Sequence, residues 1–86
     1  MKLVGRTRIE EAMRCRPDCG DALRAWESEI CHRSWKNAAA LTAFFRGADL
    51  SGFPVATFCL GSPPLRVETL IDMRTGVALV TNVSTV

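Results

Sequence analysis

Residues 65–83 read Leu65-Arg66-Val67-Glu68-Thr69-Leu70-Ile71-Asp72-Met73-Arg74-Thr75-Gly76-Val77-Ala78-Leu79-Val80-Thr81-Asn82-Val83. From Leu65 to Ile71 the pattern has a period of two. Leu65, Val67, Thr69 and Ile71 fall on one side, and Arg66, Glu68 and Leu70 on the other, as in a strand with one buried face. Asp72-Met73-Arg74-Thr75-Gly76 then reads as a tight loop, with Gly76 free to take positive φ. Val77 to Val83 is a second β-rich run. The stretch therefore predicts an antiparallel hairpin, and the rest of the fold is built around it.

Just upstream, Val55-Ala56-Thr57-Phe58-Cys59-Leu60 is another strand-sized apolar run, separated from the hairpin by the turn cluster Gly61-Ser62-Pro63-Pro64. The first half of the chain has helical spacing instead. Thr7 and Glu10 fit a capping box for a short helix with Ile9, Ala12 and Met13 on one face. Pro17 must interrupt that helix, because proline lacks the N–H and clashes with the preceding turn. A second helix starts near Pro17 or Asp18 and carries Leu23, Trp26 and Ile30 on one face, with Trp26 read as core. Asn37 is a good N-cap for a third helix from Ala38 to Phe45. Met1 to Gly5 has the size of a short edge strand. Helices followed by a β-meander predict an α+β fold, with N-terminal helices packed on one face of a small antiparallel β-sheet.

The 86 residues suffice for a single domain, 1–86, and 48% are apolar, enough for a core without disulfides. No apolar stretch nears the roughly 18–20 residues of a membrane span. Met1-Lys2-Leu3-Val4-Gly5-Arg6 is charged too early for a signal peptide, so a cytoplasmic location and no membrane partner are expected. Four cysteines, Cys15, Cys19, Cys31 and Cys59, are read as reduced and mostly buried. A zinc site from Cys15, Cys19 and the Cys31-His32 pair is disfavoured. Adjacent residues on a helix point about 100° apart, and the spacing departs from a CxxC knuckle.

The net charge is +2. Residues 37–86 carry three basic residues (Arg46, Arg66, Arg74) against three acidic ones (Asp49, Glu68, Asp72). That balance does not make the basic stripe with which a nucleic-acid binder neutralises phosphates. There is no glycine-rich phosphate loop, nucleophile elbow or paired metal motif, so no metal or small-molecule cofactor is expected.

An ordered set of short motifs runs through the chain: Pro17-Asp18, Leu23 with Trp26, Trp35-Lys36-Asn37, and Phe58-Cys59-Leu60-Gly61. It continues with Leu65-Arg66-Val67, Ile71-Asp72, Arg74-Thr75-Gly76 and Val83-Ser84-Thr85-Val86. In this order and spacing the chain resembles the HigB-type toxins of the RelE-like (ParE/RelE) superfamily. The resemblance implies a RelE-like fold and a prokaryotic or phage setting. It also implies a toxin–antitoxin role: cleavage of mRNA on the ribosome, neutralised by an antitoxin. Cleavage proceeds by attack of a ribose 2′-OH on the adjacent phosphate, which needs a general base, a general acid and cationic stabilisation.

The departures bear on that chemistry. Leu65 stands where the family has Tyr, Leu70 where it has a basic residue, and Val86 where its tail has His; the tail's His and Tyr are absent from these residues. Arg66 is the residual phosphate-stabilising residue. Lys36, Arg46, Arg66 and Arg74 are the candidates for RNA or partner binding, and no side chain is assigned catalysis. His32, the sole histidine, lies on the second helix and is not expected to catalyse. Losing one acid–base group costs about 10²–10⁴-fold. The expectation is therefore a non-catalytic or strongly attenuated HigB-like protein that binds a macromolecular partner, whether an antitoxin or other protein complex, a ribosome or RNA. A mobile-element inhibitor fits so small a stand-alone fold. The alternative is an active HigB-type, ribosome-dependent mRNA endoribonuclease. For a protein partner, Trp35, Phe44, Phe45 and Phe53 are the candidate exposed anchors.

Overall fold

The computed structural model describes residues 1–45, 47–61 and 64–85. Strand β1 (Lys2–Val4) leads into helix α1 (Arg6–Cys15), a 3₁₀ turn (Pro17–Cys19), helix α2 (Gly20–His32) and helix α3 (Ala38–Phe44). Strands β2 (Val55–Leu60), β3 (Leu65–Asp72) and β4 (Val77–Thr85) follow. The fold is α+β, as expected.

The hairpin forms where the alternation placed it. Leu65, Val67, Thr69 and Ile71 are buried, while Arg66, Leu70 and Asp72 are exposed. The Asp72 carboxylate accepts the backbone N–H groups of Arg74 (3.0 Å) and Thr75 (3.3 Å), and Gly76 sits at φ 72°. The side chain thus holds the loop from within, and the glycine supplies the left-handed step that a Cβ would oppose.

The sheet order is β1-β4-β3-β2. β2–β3 and β3–β4 are antiparallel, but β1 runs parallel to β4, so the sheet is mixed rather than antiparallel throughout. Hairpin-connected strands must reverse; β1 reaches its neighbour through three helices and two other strands, and a connection of that length permits either direction. Between Glu68 and Thr69 the β3–β4 register shifts. Thr81 is the extra residue on β4, and its hydroxyl donates to the Glu68 carbonyl at 3.1 Å.

One face of the sheet carries Leu3, Ala56, Phe58, Val67, Ile71, Ala78 and Val80, all buried against Ile9, Leu23, Trp26, Ile30 and Leu41 from the helices. Trp26 lies in this core with its ring centroid 5.3 Å from that of Phe58, which is 5.3 Å from Phe45 on its other side. Thr69 is the one buried polar residue among those described; its hydroxyl donates to the Ala56 carbonyl at 3.1 Å.

Two local expectations are corrected. Thr7 is not a cap: Gly5, at φ 88°, is the N-cap residue, and the helix already begins at Arg6. The sharp left-handed turn at Gly5 aims α1 across β4 so closely that a Cβ there would stand 2.8 Å from the Val80 carbonyl oxygen. The cysteines are not mostly buried: Cys19 is buried, Cys31 half-buried, and Cys15 and Cys59 exposed. Cys59 lies on the outward side of β2, a side that periodicity in a run as apolar as Val55–Leu60 does not reveal. Asn37 caps α3 as expected, its side-chain oxygen accepting the Ala40 N–H at 3.0 Å. Pro17 opens the 3₁₀ turn that separates α1 from α2.

Candidate functional site

Helices cover only one face of the sheet. On the other, residues directly opposite one another in the ladder share a side. Val4 pairs with Leu79, Leu79 with Leu70, and Leu70 with Val55. One aliphatic side chain from every strand therefore lines up in a single row across the whole open face. All four are exposed: Val4 40%, Leu79 38%, Leu70 41% and Val55 39%. Largely polar rows flank it, with Val77 the apolar exception beside the belt. Lys2, Val77 and Asp72 lie on one side, and Thr57, Glu68 and Asn82 on the other, followed by Cys59, Arg66 and Ser84.

Arg66 is therefore a resident of this open face, projecting between Cys59 and Ser84 on the adjacent strands. It lines a shallow pocket with Gly47, Asp49, Thr57, Cys59 and Glu68. Arg66 and Glu68, two residues apart on β3, share the outward side without forming an ion pair. The ion pairs among the described residues are Arg6–Glu27, Arg16–Asp18 and Arg33–Glu29. The Asp49 carboxylate accepts the Ser51 backbone N–H at 2.9 Å, which holds its carboxyl below the ordinary aspartate value. The pocket thus presents one guanidinium with two carboxylates.

The other candidates do not converge on Arg66. Six residues of strand, about 20 Å at 3.3 Å per residue, separate it from Asp72, and Arg74 lies beyond in the hairpin loop. Arg74 lines a different pocket with Met1, Ser34 and Trp35. Lys36 follows Trp35 and is exposed, so Lys36 and Arg74 belong to one end of the molecule and Arg66 to the other. Arg46 and Val86 lie outside the described residues. His32 ends α2, away from the open face, and its Nδ1–H donates to the Ser28 carbonyl at 2.8 Å.

No protein-family model matches the chain, and no curated protein matches it. The functional reading therefore rests on the residues and their arrangement.

Among the aromatic candidates, Phe44 (42%) and Phe53 (40%) are exposed, whereas Trp35 and Phe45 are half-buried and packed against the core. Trp35, Phe44 and Phe45 form one cluster, with ring centroids 4.9–5.6 Å apart. The Arg33 guanidinium stacks 4.2 Å over the Phe44 ring while its Nε–H donates to Glu29 at 2.6 Å.

Sequence reasoning missed the apolar row, although part of its signal was present. Leu70 stands out as the lone apolar residue among Arg66, Glu68 and Asp72 on the outward side of β3. On the outward side of β4, Leu79 and Val77 precede polar Asn82 and Ser84. Among the described residues, no three of His, Cys, Asp and Glu come together as a metal site would require, and no helix is long and apolar enough to cross a membrane.

Proposed function

We propose that this chain is a non-catalytic protein of RelE-like architecture, related to the HigB branch, that acts by binding another protein through the open face of its sheet. The row Val4-Leu79-Leu70-Val55 carries this reading. Scattered exposed aliphatics are ordinary, but a contiguous apolar belt rimmed by polar residues marks an interaction surface. The two positions at which the chain departs from the toxin pattern within β3 fit the same view. Leu65 is buried in the core, and Leu70, in place of a basic residue, is one of the four side chains of the belt.

Charge favours a protein partner over RNA. Binding to nucleic acid draws its affinity from several cations concentrated along one surface. Here Asp49 and Glu68 offset Arg66, and Arg74 and Lys36 lie at the far end. A phosphate placed beside Arg66 meets two carboxylates within the same pocket.

The test combines two assays. Purified protein incubated with ribosomes and mRNA should release no cleavage products, and its expression should not arrest growth. A tagged chain should capture a protein from its source cells, and Leu70→Lys should lose that capture while Arg74→Ala keeps it. Ribosome-stimulated cleavage abolished by Arg66→Ala would overturn the proposal and establish the endoribonuclease reading instead.

A further inference from the structure

The belt is symmetric in a way that a generic apolar patch need not be. Read across the sheet in spatial order, β1-β4-β3-β2, it runs Val4, Leu79, Leu70, Val55: valine, leucine, leucine, valine. A two-fold axis laid along the strands, midway between β4 and β3, carries β4 of one molecule over β3 of another and β1 over β2. Leu79 then meets Leu70 of the second copy, and Val4 meets its Val55, with each contact made twice, as an isologous interface requires. The strands of the two sheets stay roughly aligned, the arrangement in which twisted sheets pack face to face.

The flanking rows agree with the same axis. The charged residues of the face lie mainly on β3, and the β4 positions that would cover them are uncharged. Arg66 pairs in the ladder with Ser84, Glu68 with Asn82 and Asp72 with Val77. After the rotation, Arg66 faces Ser84 of the second copy, and Glu68 faces its Asn82. A guanidinium thus meets a hydroxyl and a carboxylate meets an amide, while Asp72, at the end of the strand, meets Val77; no like charges are opposed. An axis laid across the strands along the belt would bring Glu68 against Asp72 instead, which disfavours that packing.

From these observations we infer that the open sheet face binds a second copy of this chain, forming a two-fold, face-to-face dimer. The inference rests on the reading of this face as a binding surface given above. Its strength follows from its size. Four strands at about 4.8 Å and three two-residue steps of about 6.7 Å make a face of roughly 400 Å² per copy in projection. The pair therefore falls below the ~1,200–2,000 Å² of standard stable complexes, in the weak, transient class. Association is accordingly in the micromolar range or weaker.

Sedimentation equilibrium on the full chain from micromolar to millimolar concentration is the first measurement, and a reversible monomer–dimer equilibrium is expected. Leu70→Lys and Leu79→Glu, each checked for folding by circular dichroism, should each remain monomeric. An equimolar mixture of the two should recover the dimer, because the axis sets Lys at 70 against Glu at 79 in one contact and leaves Leu79 against Leu70 in the other. Wild-type protein monomeric at millimolar concentration, folded variants that dimerise like wild type, or failure of the mixture to associate each overturns the dimer. If the dimer fails in this way while Leu70→Lys still abolishes capture of a cellular protein, the protein-binding reading stands without it. If capture also survives the substitution, both readings fall.

Discussion

Replacing Gly5 with alanine tests how α1 is joined to the sheet. Gly5 and Gly76 share one feature, a left-handed backbone, with φ of 88° and 72°. Placing an L residue there costs about 1–2 kcal/mol at either site. They differ in what a Cβ would meet. At Gly76 nothing lies within 4 Å; at Gly5 the Val80 carbonyl oxygen is at 2.8 Å, with the Val80 backbone nitrogen and Cβ both at 3.3 Å. The carbonyl belongs to a central strand of the sheet and cannot swing aside as a flexible side chain would. Relieving the contact means moving α1 off β4, an overpacking cost of about 1–3 kcal/mol. Gly76→Ala should therefore lose about 1–2 kcal/mol by its φ alone, and Gly5→Ala about 2–5 kcal/mol.

A domain of this length holds about 4–13 kcal/mol in total, so the second change removes a large share. Urea denaturation followed by fluorescence reads both, since Trp26 is buried against Phe58 and becomes exposed on unfolding. In thermal melts each kcal/mol of difference between the variants should appear as about 4–8 °C. Losses equal within about 0.5 kcal/mol would refute the idea that α1 is pressed onto β4 through this glycine.

Phe58→Ala should cost about 3–5 kcal/mol, because the ring is buried between Trp26 and Phe45 and the cavity cannot collapse from two rigid aromatic sides; a loss under about 1 kcal/mol by denaturant titration would contradict that packing. Asn37→Ala removes the acceptor of the Ala40 N–H and should cost about 0.5–2 kcal/mol, with Asn37→Asp close to wild type. The Thr75 and Arg74 N–H groups hold the Asp72 carboxyl below its ordinary value of 3.8. Its contribution is thus fully present above that value and disappears as pH falls through the lower folded-state value. The stability gap between wild type and Asp72→Asn should be constant near neutrality and close below about pH 4; a gap unchanged into strong acid would show that the loop does not depend on the carboxylate's charge.

Much of the local structure was legible in the chain. The alternation of Leu65 to Ile71, the Asp72–Gly76 turn, the break at Pro17, the cap at Asn37 and the buried stripe Leu23-Trp26-Ile30 each depend on residues within a turn or two of one another. Periodicity and side-chain chemistry over that range are written directly in sequence. The cap at Thr7 failed for a reason of the same kind viewed from further away: Gly5 already turns the chain, and its conformation is imposed by contact with β4 rather than by its neighbours. The site was less legible. Arg66 could be named, with Glu68 on the same side of its strand, but not its neighbour Asp49, nor its distance from Arg74.

By itself, then, the sequence determined an α+β domain with helices before strands, and which residues of β3 face inward. Tertiary structure alone decided that β1 runs parallel to β4, that two cysteines are exposed, and that Val4, Leu79, Leu70 and Val55 form one row. These four residues lie up to 75 positions apart in the chain. Nothing in the period of any one strand sets which residue of the next lies beside it. That is fixed by register, and register is settled by the buried face of the sheet packing against the helices. The open face inherits its pattern from a choice made on the other side.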